Sequence, residues 1–593
     1  MRRHHALIGL ISFSPGAPTG LAAAEAGVSP QSWIKAFLRR SVRLAALLLP
    51  AALMTAGDGT RAAVDVDVAQ YRHWPAYAKT PVGEIQAQIW REHEDVIEGW
   101  DWSLPPSVGP KANSLLCISR RANRLPAIQF PANPVVSLWV FWSDLEPRED
   151  EYRFDRLLAQ LKDIEKAGYG AIIRPMTAAH ARPSYPDPSH TPKWRQKPCA
   201  PPYLVEKYGV TQIPEPPKKG WRIINLDPAH PAFHRRYIKF VRELGKSGIP
   251  GMDVVKGIIV GYKSPSWGDE GIGPRPETQG GEEPAHVKER LDAWADVCKG
   301  VEHKVCMGGT SEYGFSKGFG IRGGFVEMYL YRIPDPHLGQ TIAPNGYLVV
   351  NEDAVGTQAS RFLGDENEEY EESWTSRFGK LDSFVYRYFT ASLRLLQMRR
   401  NYLLNNPFCV YPEMLPFISL EMGRTVEDTP DVWCALRESY LRKKRSHAPQ
   451  PVRNFERWLH QRDSAGFETT PAIKIDHAIR MWMVHGNRQT GDGSYHDYVA
   501  RRGRRIGFNV DERFLARAGR VAIKVTYFDQ QAGSLTLVCR HAQRKVTLLG
   551  SGNVKTATFF IDTLGSGPGH DLIIEGTPEA VVAFVRVIKA GDH

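Results

Sequence analysis

VVSLWVFWSDLEPREDEYRFDRLLAQLKDIEKAGYGAIIRPM, residues 135–176, decides the fold. Val135–Trp142 is a strand-length run of β-branched and aromatic residues. Phe154–Ala167 reads as an amphipathic helix, and Ala171–Met176 as the next strand. Strand, helix and strand in succession is the unit of an α/β fold.

The alternation continues. Phe233–Ser247 is helical, and Val254–Val260, His303–Met307, Gly324–Tyr331, Tyr347–Val350 and Phe408–Tyr411 read as strands, with an earlier candidate at Val96–Trp102. Eight strands with helices between them predict an α/β TIM (β/α)8 barrel with long loops. A doubly wound open sheet is the alternative, but no glycine-rich phosphate turn follows the first strand. Residues 441–453 (LRKKRSHAPQPVR) are charged, contain proline and lack pattern, so they read as a linker. Beyond them come alternating runs at Ile506–Val510, Val521–Phe528, Ser534–Cys539, Thr556–Ile561, Leu572–Glu575 and Val581–Ile588. These predict a C-terminal all-β sandwich. The expected organisation is a leader over 1–62, a barrel over 63–440, the linker, and the sandwich over 454–593.

The 593 residues are 42% hydrophobic and 24% charged, which excludes a largely disordered chain and a multi-span membrane protein. Residues 1–62 hold seven Lys/Arg against two acids, so +5 of the net +11. The remaining excess is mild and without long basic runs, which argues against nucleic acid. Leu44–Met54 is apolar, preceded by Lys35, Arg39, Arg40 and Arg43, and followed by small residues. That is the grammar of a secretory signal, and the run is too short for a stable membrane span. The expected location is secreted or periplasmic. The seven cysteines show no CxxC spacing, so no zinc site or disulfide framework is readable. His180 and His190 flank one loop but lack a third metal ligand. No cofactor or metal is expected.

Catalytic groups of a TIM barrel lie at the carboxyl ends of its strands. Polar residues at those positions include Glu146, Arg174, Asp269, Glu270, Glu312, Asn351, Glu352, Glu413 and Glu421. Two carboxylates are the minimum for cleaving a glycosidic bond. One protonates the leaving oxygen, and the other attacks as nucleophile or activates water.

The segment from Leu138 to Met176 resembles strand two to strand three of TIM-barrel glycoside hydrolases of the β-galactosidase-like superfamily. Their pattern of Trp, Leu-Glu-Pro, Tyr and Phe is met by Trp142, Leu145, Glu146, Pro147, Tyr152 and Phe154. Asp150 stands where glycine is common. VVKGIIVGYKSPSWGDEG, residues 254–271, resembles the fourth strand with its acid/base. Asp269 replaces the usual preceding Asn, so the acid falls to Glu270 or to Asp269 beside it. The resemblance spans about residues 95–425. It implies a retaining glycosidase with Glu270 as acid/base and Glu352 as nucleophile, acting on a carbohydrate. Trp142, Arg174, His180, Tyr262, Trp267, Asp269 and Asn351 are the expected substrate-binding residues. Glu146 is expected to be structural. Tyr495–Arg502 and Val525–Asp529 resemble jelly-roll modules of secreted carbohydrate enzymes. The rival readings are a non-catalytic glycan-binding or scaffold protein on such a barrel, and a polysaccharide lyase or esterase. No G-x-S-x-G elbow supports an α/β-hydrolase.

Overall fold

The computed structural model describes residues 95–102, 108–119, 122, 130–178, 184–186, 196–214, 222–260, 284–309, 311–325, 339–367, 390–405, 414–441, 450–478, 494–565 and 569–590. The leader expected over 1–62 lies outside them.

Strand β1 (Asp95–Glu98) opens the described chain. Then come β2 (Leu115–Ser119), β3 (Pro134–Phe141), β4 (Gly170–Met176), β5 (Val255–Val260), β6 (Val305–Gly308) and β7 (Gly320–Phe325). An antiparallel hairpin of β8 (Gln340–Ile342) and β9 (Leu348–Val350) intervenes before β10 (Leu363–Asn367) and β11 (Tyr402–Asn405). Strands β2–β7, β10 and β11 pair in parallel, and β11 returns to β2 through Tyr402↔Leu115, closing an eight-strand barrel. This is the expected TIM barrel.

Three of the barrel strands differ from the sequence reading. Tyr347–Val350 corresponds to β9, which pairs only within its hairpin among the described residues; the seventh barrel strand is Leu363–Asn367. Leu115–Ser119 is the first barrel strand, whereas Val96–Trp102 begins in β1, which pairs with the C-terminal sheet. The Phe408–Tyr411 candidate lies outside the described residues, and the eighth strand is Tyr402–Asn405.

Strand parity divides the barrel side chains. Leu115, Cys117, Val135, Ile172, Ile259, Cys306, Phe362, Tyr402 and Leu404 fill the lumen. Gly257 leaves room there: a Cβ would stand 2.3 Å from the Phe362 ring. The intervening residues, Val136, Leu138, Ile173 and Ile258, face helices outside. Those include α1 (Asp155–Lys166), α2 (Pro231–Lys246) and α3 (Ala285–Val297). Helix α2 starts with Pro231 in its first turn, and the His230 ring nitrogen accepts from the Ala232 amide at 3.2 Å. Its Tyr237, Phe240 and Leu244 recur at helical spacing and are buried.

The C-terminal region comprises β12 (Asp431–Leu441), β13 (Gln450–Arg457), β14 (Leu459–Gln461), β15 (Thr470–Ala478), β16 (Ser494–Val510), β17 (Val521–Phe528), β18 (Ala532–Cys539), β19 (Ala542–Leu549), β20 (Val554–Ile561) and β21 (Leu572–Lys589). With β1 they form an antiparallel sheet of 11 described strands. The stretch 441–453 holds the end of β12 and the start of β13, and residues 442–449 between them lie outside the description. The two runs read at 572–575 and 581–588 are one strand. The first half of β21 pairs with β16 and β18, and the second half with β12 and β17. One strand thus serves both layers of a sandwich. Val521, Ile523, Val525 and Tyr527 alternate into the core between the layers.

The last helix of the barrel, α4 (Leu415–Glu421), presents Leu415, Phe417 and Ile418 to Trp433, Phe455 and Phe584 of the sheet. Each such buried side chain contributes roughly 1.5–3 kcal/mol. Several together make barrel and sheet share one core.

Candidate active site

At the carboxyl-terminal mouth, parity continues two residues at a time. Trp139 follows Ser137 and Val135 on the lumen face of β3, and Arg174 follows Ile172 on β4. The Arg174 guanidinium lies 5.7 Å from the Trp139 ring centroid, a cation–π contact. Arg174 itself is fully buried and Trp139 half-buried. Above them Phe141, Met176 and Cys199 cluster. The Ser143 amide donates to the Cys199 carbonyl at 3.0 Å, tying the loop after β4 over this part of the mouth. Across the barrel, Arg322 of β7 is in register with Gly308, the last residue of β6, and with Gly364 of β10.

Trp142 is not a substrate platform. Parity turns it outward, where it is fully buried against Phe233, Tyr237 and Phe240, with the Phe233 ring edge-on at 5.4 Å. Its indole N–H donates to Glu146 Oε2 at 2.7 Å. Glu146 also accepts from Arg236, from the Tyr203 hydroxyl at 2.9 Å and from the Asp150 amide at 3.1 Å. The Leu-Glu-Pro turn is therefore a buried structural knot, as expected of Glu146. Asp150 has φ of 64°, the left-handed conformation that explains why glycine is common at this place. Here the aspartate is held by Arg236 at 2.6 Å and Lys239 at 2.8 Å, hydrogen bonds that lower its pKa to about 2.

Glu352 is not at the mouth. It follows the β8–β9 hairpin and faces an open cavity of about 610 Å³ lined by Lys111, Asn113, Gln358, Ser360, Arg399 and Thr425. Lys111 and Asn113 precede β2, Gln358 and Ser360 precede β10, and Arg399 precedes β11. The cavity is thus on the amino-terminal face, where TIM barrels hold structural rather than catalytic groups. Arg399 Nη1 lies 3.3 Å from Glu352 Oε2, and the Trp458 indole donates to Glu352 Oε1. Asn351 is on the same face, its side-chain oxygen capping the Asp353 amide at 3.0 Å. Both assignments fail for one reason: the strand preceding these residues belongs to the hairpin.

The true seventh strand, Leu363–Asn367, reads LGDEN. Glu366 is its penultimate residue, in register with Leu404 of β11 and Phe325 of β7. The neighbouring Asp365 is fully buried and paired with Arg400 at 2.7 Å, which anchors the strand. The fourth strand, β5, ends at Val260. Tyr262, Trp267, Asp269 and Glu270 follow it and, like His180, lie outside the described residues. Of the further acids, Glu312 is exposed in the first turn of a five-residue helix. Glu421 is buried at the far end of α4, and Glu413 lies outside the description. The sequence reading missed Trp139, Arg322 and Glu366. Counting inward positions from Val135 finds Trp139. Glu366 required recognising a polar strand.

Among the described residues, no group of three or more His, Cys, Asp and Glu is arranged to hold a metal, and no helix is long and apolar enough to cross a membrane.

Neither a protein-family model nor a curated protein sequence matches this chain. Solved structures do. The catalytic domain of β-amylase from Paenibacillus polymyxa aligns over 47% of this chain and 86% of its own, at 8% identity and a TM-score of 0.27. An exo-β-1,4-mannosidase from an Opitutaceae bacterium aligns over 49% of this chain and 50% of its own, at 14% identity and a TM-score of 0.27. Endo-glycoceramidase II from Rhodococcus sp. aligns over 83% of this chain and 99% of its own, at 13% identity and a TM-score of 0.27. These proteins are glycosidases by name.

Proposed function

We propose that this chain is a glycoside hydrolase working from the carboxyl-terminal mouth of its barrel, with Glu366 as the strand-seven carboxylate and Glu270 as the strand-four acid/base. The observation that carries the reading is the closed parallel barrel whose seventh strand has an acid, Glu366, as its penultimate residue. Its fourth strand leads directly into the segment holding Asp269 and Glu270.

In this reading Glu366 attacks the anomeric carbon and forms a glycosyl ester, while Glu270 gives its proton to the leaving oxygen. Glu270 then takes a proton from the water that hydrolyses the ester, so configuration is retained. Trp139 offers a π face to the apolar C–H side of a pyranose. Arg174 beneath it supplies N–H donors for a hydroxyl or for the strand-seven carboxylate. The substrate is a poly- or oligosaccharide, and the mature enzyme is exported after removal of the leader near Ala62. Amino-terminal sequencing of secreted protein tests the export step.

Mechanism is tested with aryl glycosides. Glu366→Ala should lower kcat by at least about 10³-fold, and azide should restore turnover as a glycosyl azide of inverted configuration. Glu270→Ala should slow poor leaving groups far more than activated ones, with azide giving retained configuration. Full activity in Glu366→Ala, or glycan binding with no turnover by the wild type, overturns the reading.

A further inference from the structure

Where the barrel meets the sheet, two carboxyl groups lie fully buried: Glu421 at the end of α4 and Asp431 at the start of β12. Each is partnered through one oxygen. Glu421 Oε2 accepts from Arg457 Nη1 at 2.8 Å. Asp431 Oδ2 accepts from Arg586 Nε at 3.0 Å and Nη2 at 2.8 Å. The other two oxygens, Glu421 Oε1 and Asp431 Oδ1, are buried without a donor. The two groups are within hydrogen-bonding reach of each other. Two ionised carboxylates this close in a buried interface repel, and each keeps one buried oxygen without a donor. One proton between them removes both costs.

We propose that Glu421 and Asp431 share a single proton, so that a carboxyl–carboxylate hydrogen bond fastens the last helix of the barrel to the first strand of the sandwich. Glu421 carries the proton. It receives one guanidinium N–H where Asp431 receives two, so the negative charge is better held on Asp431. Burial, and then the Asp431 charge, raise the Glu421 pKa well above the ordinary carboxylate range, against the opposing pull of Arg457 and Arg424. The charged groups facing the pair are Arg457 at the end of β13, Arg424 after α4, and Arg586 with Lys589 on β21. Arg586 also donates to the Asp101 carbonyl at 3.0 Å, linking the pair to the chain after β1.

The bond makes the interface pH-dependent. Below the unfolded carboxyl pKa, about 4, folded and unfolded chains both hold the proton and its contribution is complete. As pH rises from there toward the folded value, only the unfolded chain releases it, and stability falls. The contribution of this proton to the junction is therefore largest in acid and declines as pH rises. The proposal is independent of the glycosidase reading.

Calorimetric unfolding in buffers of different ionisation enthalpy counts the protons released. At pH 7 the wild type should release about one more proton than Glu421→Gln, and the variant should lose the corresponding decline of Tm with pH. Equal proton release overturns the proposal. Infrared spectra give a second readout. The wild type at neutral pH should show the C=O stretch of a protonated buried carboxyl, and Glu421→Gln or Asp431→Asn should remove it. No such band in the wild type overturns the proposal whether or not either variant folds.

Discussion

The indole N–H of Trp458 donates to the carboxylate of Glu352, joining the sandwich to the amino-terminal face of the barrel. A barrel loop and a sheet residue 106 positions apart thereby hold one cavity wall in place.

Glu352→Gln should keep kcat and KM close to wild type, because the carboxylate is on the face opposite the mouth. Glu352→Ala should cost about 1–3 kcal/mol, since it leaves the Trp458 N–H and part of Arg399 without a partner. Denaturant unfolding and steady-state kinetics on the same preparation check both. A large kcat loss with unchanged stability would return Glu352 to catalysis.

Trp142→Ala should cost about 3–5 kcal/mol, the range for deleting a fully buried large aromatic. Trp142→Phe keeps much of the packing but removes the bond to Glu146, so a loss nearer 1–2 kcal/mol is expected. Neither should change KM selectively among sugars. Thermal unfolding and a substrate panel distinguish this from a sugar-stacking role.

Gly257→Ala should disturb the lumen of the barrel. The new methyl would meet the Phe362 ring at 2.3 Å, and a Cβ placed on Gly364 would likewise stand 3.2 Å from that ring, so the ring is closely confined between glycines. Overpacking of this kind costs about 1–3 kcal/mol. A second change, Phe362→Leu, should recover part of the loss in a double-mutant cycle, and strict additivity would contradict the proposed clash.

Asp529 governs part of the acid limb. Burial raises its pKa, but Lys555 at 2.7 Å, the Ser551 hydroxyl at 2.8 Å and the Gly550 and Ser551 amides outweigh it and hold the group at about 2. A lowered folded pKa contributes stability that is complete above the unfolded value, about 4, and is lost as pH falls toward 2. Asp529→Asn should be less stable at pH 7 and show a flatter decline of Tm between those values. An unchanged acid limb would show that other carboxylates dominate it.

The barrel was legible where strands are apolar. Val135–Phe141, Ala171–Met176 and Val255–Val260 are buried on both faces of the sheet over most of their length and read as mainly hydrophobic runs. Helices α1 and α2 announced themselves by periodicity. The seventh strand did not, because LGDEN places Asp365 in a buried ion pair with an arginine distant in sequence and leads to an acid at the mouth. A short apolar run nearby, Leu348–Val350, carried the stronger strand signal and belongs to a hairpin outside the barrel wall.

The sequence alone determined the α/β barrel, the β-rich C-terminal region and the Leu-Glu-Pro knot, because local periodicity and turn chemistry encode them directly. Which face of the barrel each acid occupies was decided only by tertiary structure. Strand order and parity depend on pairings between residues far apart in the chain, such as Tyr402↔Leu115, and no local pattern records them. The same holds for the inward turn of Trp139 against the outward turn of Trp142: three residues apart in one segment, they are separated by the wall of the barrel.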